Sequence, residues 1–332
     1  MTAAYQVLDP VDAHSPEWHE QRARGLGGSD ASAILGLNPY KSAFTIWQEK
    51  TGKVPADTAS PSEAAYWGTQ LEPVLADELA KRLETDLTSD LQLRPAVGSL
   101  QSIARPWQLA NVDRLVYACQ SGTDRSAEPV AVAEIKTVGL RNAADWAEPD
   151  GIGKHALIQG VHYMAVTGVP VVYFGCLVGG QEFRWRALDR DSHLEEYLLE
   201  REEEFWRLVQ SDTPPPIDGS DSTRDTLGRV YPKATPDKSV DLGIGAASLL
   251  AQRNKLADDI RSAEEIRQAI DSAIKDILGE AEVGLLHGEP AVRWGNVSGR
   301  RSINSKALRA DYPEIADQYT VTGDPYRRFA IL

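Results

Sequence analysis

Val130-Ala-Val-Ala-Glu-Ile-Lys-Thr-Val138 reads as a buried β-strand with two intruders. Small and β-branched residues suit a packed, pleated surface, and successive strand side chains point to opposite faces. Glu134 and Lys136 therefore project from one face, side by side, while Ala133 and Ile135 point to the other. Neither charge helps a strand to bury itself, so their presence points to chemistry rather than stability.

Two more acids stand where folding does not want them. Asp113 lies in another strand-like run, Leu109-Ala-Asn-Val-Asp-Arg-Leu-Val116, on the side shared by Leu109, Asn111 and Leu115. Glu72 lies on an amphipathic helix predicted over Tyr66 to Thr85, on the stripe of Leu75, Ala76 and Leu79. Each is driven toward the core or its rim. A buried carboxylate costs on the order of several kcal/mol unless a cation compensates it, and one lysine cannot neutralise three. Divalent metal supplies the missing charge most simply. Oxygen-only ligands, with no HExxH pair, favour Mg²⁺ or Mn²⁺ over zinc. Such ions, held by a few carboxylates, are the usual apparatus for hydrolysing phosphodiesters.

The bulk properties narrow the field. A chain of 332 residues, 42% apolar, can bury one large core or two ordinary ones. Its two cysteines, Cys119 and Cys176, cannot build a disulfide framework or a cysteine metal cluster. The start, MTAAYQVLDPVDAH, lacks the basic and apolar regions of a signal peptide, and no apolar run approaches a membrane span, so a cytoplasmic protein is expected. The net charge of −14 speaks against a surface that binds nucleic acid all over. An acidic enzyme with a locally basic cleft is still compatible with a polyanionic substrate. The glycines from Gly25 to Gly28 lack the GK[ST] ending of a P-loop, and no GxSxG supports acyl transfer.

The predicted elements form an α/β (α+β) pattern, a central mixed sheet flanked by helices. Ser15 to Gly25 reads as a capped helix, and a glycine turn leads to a second helix capped by Ser29. A helix over 43–51 precedes a loop, KVPADTASPSEA, and the long helix follows it. Strands are predicted at 97–103, 109–118 and 130–138, then a helix over 154–167, two strands over 169–188 and a helix over 191–210. This sets a first domain at 1–212, a Pro, Asp, Ser and Thr-rich linker at 213–240, and an accessory region at 241–332. In the last, Leu249, Leu256, Ala263, Ile270 and Ile277 recur every seven residues, with Ile260 and Ile274 on the adjoining row. Such a helix needs a partner for its seam, in this chain or in another subunit. A hairpin from PAVRWG to GRRSI and a final strand, YRRFAIL, complete the reading.

An Asp followed by Glu-x-Lys on the next strand resembles the signature of the PD-(D/E)XK nuclease superfamily, with its restriction-endonuclease-like core. Within it the chain is similar to the YqaJ viral recombinases and the phage lambda-type exonucleases. The matching pieces are Trp18-His-Glu-Gln-Arg22, Gly27-Gly-Ser-Asp-Ala31, Ile34-Leu-Gly-Leu-Asn-Pro-Tyr-Lys41, Gly68-x-x-Leu-Glu72-Pro73, Asp113, Glu134-x-Lys136 and Gln159-x-x-x-Tyr163. The resemblance implies two metal ions, Mg²⁺ or Mn²⁺. Asp113 would bridge them, Glu134 and the Ile135 carbonyl would complete one site, and Glu72 would help hold the other. Lys136 would position the attacking water, Gln159 and Tyr163 would orient the lysine, and Arg22 and Ser29 would hold a DNA 5′-phosphate. It further implies a 5′-to-3′ exonuclease on double-stranded DNA ends, a single-strand annealing recombinase as partner, and a ring-like homo-oligomer, with no membrane.

The residues alone leave other readings open. Glu134 and Lys136 could be a salt bridge at a sheet edge, Ser29 a mere cap, and Arg22 a partner for Glu17. His155 and His162 read as structural or DNA-proximal. A structure-specific or site-specific endonuclease, or a non-catalytic DNA-end-binding protein, would carry much of the same pattern.

Overall fold

The structure, a computed structural model, describes residues 3–12, 15–55, 62–87, 91–118, 128–323 and 326–331. Cys119 and half of the loop expected at 53–64 lie outside the described residues. The chain divides into two units, Met1–Pro232 and Lys233–Leu332.

The first unit opens with strand β1 (Tyr5–Val7) and helices α1 (Pro16–Ala23), α2 (Gly28–Ile34), α3 (Ala43–Lys50) and α4 (Glu63–Leu87). Strands β2 (Leu91–Arg94), β3 (Leu100–Ser102), β4 (Leu109–Ala110), β5 (Arg114–Ala118) and β6 (Ala131–Val138) follow. A 3-10 stretch, Leu140–Trp146, leads to α5 (Lys154–Thr167), β7 (Val171–Val178), β8 (Glu182–Asp189), α6 (Ser192–Gln210) and α7 (Asp221–Val230).

Five strands form a mixed sheet in the order β2-β5-β6-β7-β8. Only β6 and β7 are parallel, with Glu134 opposite Phe174 and Lys136 opposite Cys176. A parallel pair needs a crossover, and α5 provides it. The alternation read in β6 is what holds the sheet between two layers. Val132 joins Leu115, Phe174 and the α5 residues Ile158 and Val161 in one core. Ala131, Ala133 and Ile135 join Leu75, Leu79 and Leu83 of α4 in the other. Glu134 and Lys136 thus point toward α5. A second sheet has three strands in the order β1-β3-β4.

Three expectations are corrected in this unit. The run 109–118 is two strands in two sheets, because Asn111 and Asp113 divert their side chains to Ser99 and to the Ile135 amide. Helix α2 starts at Gly28 and is closed by Asp30, whose carboxylate accepts the Gly27 N–H, so Ser29 is not its cap. The segment 213–240 contains α7, packed on α3 through hydroxyls rather than apolar groups. Thr45 Oγ1 lies 2.8 Å from both Ser222 Oγ and Thr226 Oγ1, and Thr223 donates to Ser42 at 2.7 Å. A helix held by serine and threonine has the composition of a linker.

The second unit contains α8 (Gly243–Leu278), β9 (Val283–Leu286), β10 (Glu289–Arg293), α9 (Ser305–Asp311) and α10 (Pro313–Gln318). The hairpin is β9–β10, earlier than expected, turning at His287 and Gly288, whose φ angles of 53° and 89° suit a two-residue turn. Residues 299–303 and 326–331 form no strand. No residue of α8 is buried, and Leu249, Leu256, Ile260, Ile270 and Ile277 of the heptad seam are exposed.

Helix α5 can lie close to the sheet only because of Gly160. A Cβ there would stand 2.7 Å from the Phe174 ring and 3.3 Å from Leu188. Gly160→Val is expected to destabilise the protein by about 1–3 kcal/mol, read as a lower urea midpoint at unchanged slope.

Candidate active site

Strand β6 lays Glu134 and Lys136 against α5. Lys136 Nζ lies 2.5 Å from Glu134 Oε1 and donates to Gln159 Oε1 at 3.0 Å. The Gln159 amide donates to the same Glu134 oxygen at 2.8 Å and lies 2.7 Å from the Tyr163 hydroxyl, which donates to the Asn111 carbonyl. Gln159 and Tyr163, one helical turn apart, therefore act together as one brace. The other carboxylate oxygen of Glu134, Oε2, is buried and has no hydrogen-bond partner among the described residues.

Asp113 stands just before β5, and its Oδ2 accepts the Ile135 N–H at 2.7 Å. Glu72 comes from α4, with Oε1 2.6 Å from Arg114 Nη1. Arg114 also donates to the Asp113 carbonyl. Glu72, Asp113, Glu134, Ile135 and Lys136 line one open cleft of about 560 Å³. Gln159 and Tyr163 stand behind its wall. Arg114 was missed, although its place beside Asp113 in a strand-like run was a signal.

Charge in this cleft is strained. Burial, then the neighbouring Glu134, pushes the Asp113 carboxyl well above the usual range, against the pull of Lys136. Burial likewise raises Glu134, with Lys136 opposing and Glu72 adding to the rise. Burial works against the Lys136 charge, but Glu134 and Asp113 outweigh it and hold its pKa above the ordinary lysine value. The two acids thus favour the charged form of the lysine.

A divalent cation fits this donor set: two strained carboxylates, one with an unpartnered buried oxygen, and no thiol or imidazole in the cleft lining. Among the described residues, however, no three His, Cys, Asp or Glu side chains form a ready-made cage. Glu72 is held by Arg114.

A second cavity, of about 330 Å³, contains Arg22 and Ser29. Arg22 donates to Ser29 Oγ at 3.3 Å and lies over the Trp18 ring at 4.7 Å. Asp30, an awkward neighbour for a phosphate, is engaged through its Oδ2. It accepts the Gly27 N–H and pairs with buried Lys50 at 2.8 Å, while Lys50 also donates to the Arg22 carbonyl at 2.7 Å. Burial opposes the Asp30 charge, but Lys50 and Arg22 hold its pKa below the ordinary value. Lys41 pairs with Glu49. Arg22 is in no ion pair among the described residues. Sequence reasoning passed over Lys50, whose partner is twenty residues away on another helix.

The histidines separate. His162 is fully buried, with Nδ1 2.7 Å from Glu202 and Nε2 2.9 Å from the Leu109 carbonyl. His155 lines the second cavity with Nδ1 2.5 Å from Ser32 Oγ, and burial, then Lys136, pushes its pKa down to about 4. The two cavities are kept in register by Gly28, where a Cβ would lie 2.8 Å from both Gln159 and Tyr163.

The YqaJ-like viral recombinase domain matches residues 17–170, which include every site residue named above from Arg22 to Tyr163. The Bacillus subtilis (strain 168) uncharacterized protein YqaJ is 31% identical over 318 residues, covering 95% of this chain and 93% of that protein. The chain belongs to the YqaJ family. Protein D345L of African swine fever virus (strain Badajoz 1971 Vero-adapted) is 37% identical over 82 residues, 25% of this chain and 23% of that protein. Among solved structures, the alkaline exonuclease LHK-Exo from Laribacter hongkongensis aligns at a TM-score of 0.46 with 16% identity, over 60% of this chain and 94% of that one. A putative exonuclease from Eubacterium rectale aligns at 0.39 with 13% identity, over 70% and 96%. No helix among the described residues is long and apolar enough to cross a membrane.

The raised carboxyls set the sign of a pH effect in this YqaJ-family protein. Their folded pKa values exceed the unfolded ones, so the folded chain keeps protons that the unfolded chain releases. Without metal, this contribution costs stability as pH rises above the ordinary carboxylate range, near 4, toward the folded values. Asp113→Asn can keep the Ile135 hydrogen bond and remove the charge. In chelator near neutral pH it is expected to melt a few degrees above the parent, with the gap closing near pH 4. Added Mn²⁺ is expected to raise the melting temperature of the parent and not of the variant.

Proposed function

We propose that this protein is a Mg²⁺-dependent or Mn²⁺-dependent deoxyribonuclease that degrades duplex DNA from a 5′ end and leaves a 3′ single strand for recombination. The observation that carries the reading is Asp113, Glu134 and ammonium Lys136 in one open cleft, braced from behind by Gln159. Membership in a viral recombinase family supports the recombination role, and the 5′ polarity rests on the resemblance to lambda-type exonucleases. By the same resemblance a single-strand annealing protein, a separate chain, takes over the exposed strand, and a ring-like oligomer encloses the duplex.

Asp113 and Glu134 would hold the ions, with Glu72 joining if Arg114 turns to the DNA; the Ile135 carbonyl is assigned to the same site. Bound ions would activate water and offset charge on the phosphate. Lys136, kept charged by its neighbours, orients the attacking water and stabilises the negative charge that accumulates at phosphorus. Gln159 and Tyr163 fix the lysine's direction. Arg22 and the Ser29 hydroxyl, which line the second cavity together, receive the terminal 5′-phosphate.

The test compares linear, nicked and covalently closed circular duplexes with and without chelator. Loss of linear 5′-phosphorylated DNA only, abolished by chelator, is expected. Cutting of closed circles would identify an endonuclease, and binding without cleavage a DNA-end-binding protein. Asp113→Ala, Glu134→Ala and Lys136→Ala are expected to lower kcat by at least about a hundredfold to a thousandfold with circular dichroism unchanged. Arg22→Ala or Ser29→Ala is expected to reduce mainly the preference for phosphorylated over unphosphorylated ends. Equal parent activity on both kinds of end would remove that assignment.

A further inference from the structure

One side chain lines both cavities: Tyr40. The residue is 74% exposed, and its place in the fold is fixed from below. Asn38 Oδ1 accepts the Tyr40 N–H at 2.8 Å and the Lys41 N–H at 3.1 Å, a closed turn reinforced by the fixed φ of Pro39. The amide nitrogen of the same Asn38 donates to the Ser29 carbonyl at 3.1 Å and to Ser32 Oγ. One asparagine therefore ties the exposed aromatic to the helix end that carries Ser29. Folding gains little from a ring so exposed on so rigid a turn.

The chemistry on either side says what the ring could meet. One cavity holds Arg22, a cation with no ion-pair partner among the described residues; the other holds Lys136 and the strained carboxylates. A ligand that reached both cavities would pass Tyr40, which borders each of them. Aromatic rings stack on any nucleobase, because every base offers a π-face, without reading sequence. Tyr66 and Trp67 are also exposed, but neither lines the cleft, which receives Ala64, Ala65, Gly68 and Thr69 from that stretch.

We infer that Tyr40 is a stacking platform for the base of the 5′-terminal nucleotide, setting how far the strand enters between the phosphate cavity and the catalytic cleft. This rests on the nuclease reading above. Tyr40 is a positioning residue; it takes no part in bond breaking.

The probes are two linear duplexes with the same 5′-phosphate, one ending in an ordinary deoxynucleotide and the other in an abasic tetrahydrofuran nucleotide. The parent is expected to process the base-bearing end about tenfold more efficiently, chiefly through KM. Tyr40→Phe keeps the ring and is expected to keep this preference. Tyr40→Ala is expected to treat both ends alike, at the parent's abasic rate. A parent indifferent to the missing base, or a Tyr40→Ala protein that still discriminates, overturns the proposal while cleavage of the ordinary end leaves the nuclease reading intact. A parent that cuts neither duplex overturns both.

Discussion

Two carboxylates and an ammonium line one cleft, the ammonium in contact with one of the acids, and much of the first unit serves to keep them there. Strand β6 cannot shift by one residue without turning Glu134 and Lys136 into the α4 core and Ala133 and Ile135 into the cleft. The parallel pairing with β7 and the antiparallel pairing with β5 pin that register. Burial alone would neutralise the acids. Lys136 holds Glu134 in part, and the Ile135 amide holds Asp113 in part, yet both remain raised and Glu134 Oε2 remains unpartnered. A fold that sacrifices stability at such a point does so where charge must be strengthened by low dielectric. Bound cations would relieve the strain and turn it into affinity.

The brace behind the cleft extends this logic toward the DNA. Gln159 and Tyr163 touch Glu134, Lys136 and the Asn111 carbonyl on one side and Gly28 on the other. Because a side chain at position 28 would collide with both, the phosphate-side helix and the catalytic strand share one packed contact. Lys50 and Asp30 add a buried ion pair that fixes the glycine turn and leaves Arg22 free of carboxylate partners among the described residues. Breaking such a pair would leave a buried charge uncompensated, which costs on the order of 3–5 kcal/mol.

The alternation in residues 130–138 was enough to place Glu134 and Lys136 on one face, and helical spacing was enough to pair Gln159 with Tyr163. Both depend on periods of two and of about four residues, which are visible locally. The break at Asn111–Asp113 was not legible, because it is made by side-chain hydrogen bonds to Ser99 and Ile135 that no local pattern announces. Helix α7 was hidden for a similar reason: its packing face is Ser222, Thr223 and Thr226, and polar packing looks like solvent exposure in a sequence. The Arg114–Glu72 pair and the Lys50–Asp30 pair join distant segments, so neither could be read from spacing. The division between the two units, at Pro232 and Lys233, falls inside the stretch expected as a linker.

The most direct measurement is anomalous diffraction at the manganese edge from crystals grown with Mn²⁺. Manganese is expected in the cleft lined by Asp113, Glu134 and Lys136, held by carboxylates that include that of Glu134. Manganese bound only elsewhere, or an ion-free cleft in a protein that degrades linear DNA under the same conditions, would contradict that placement.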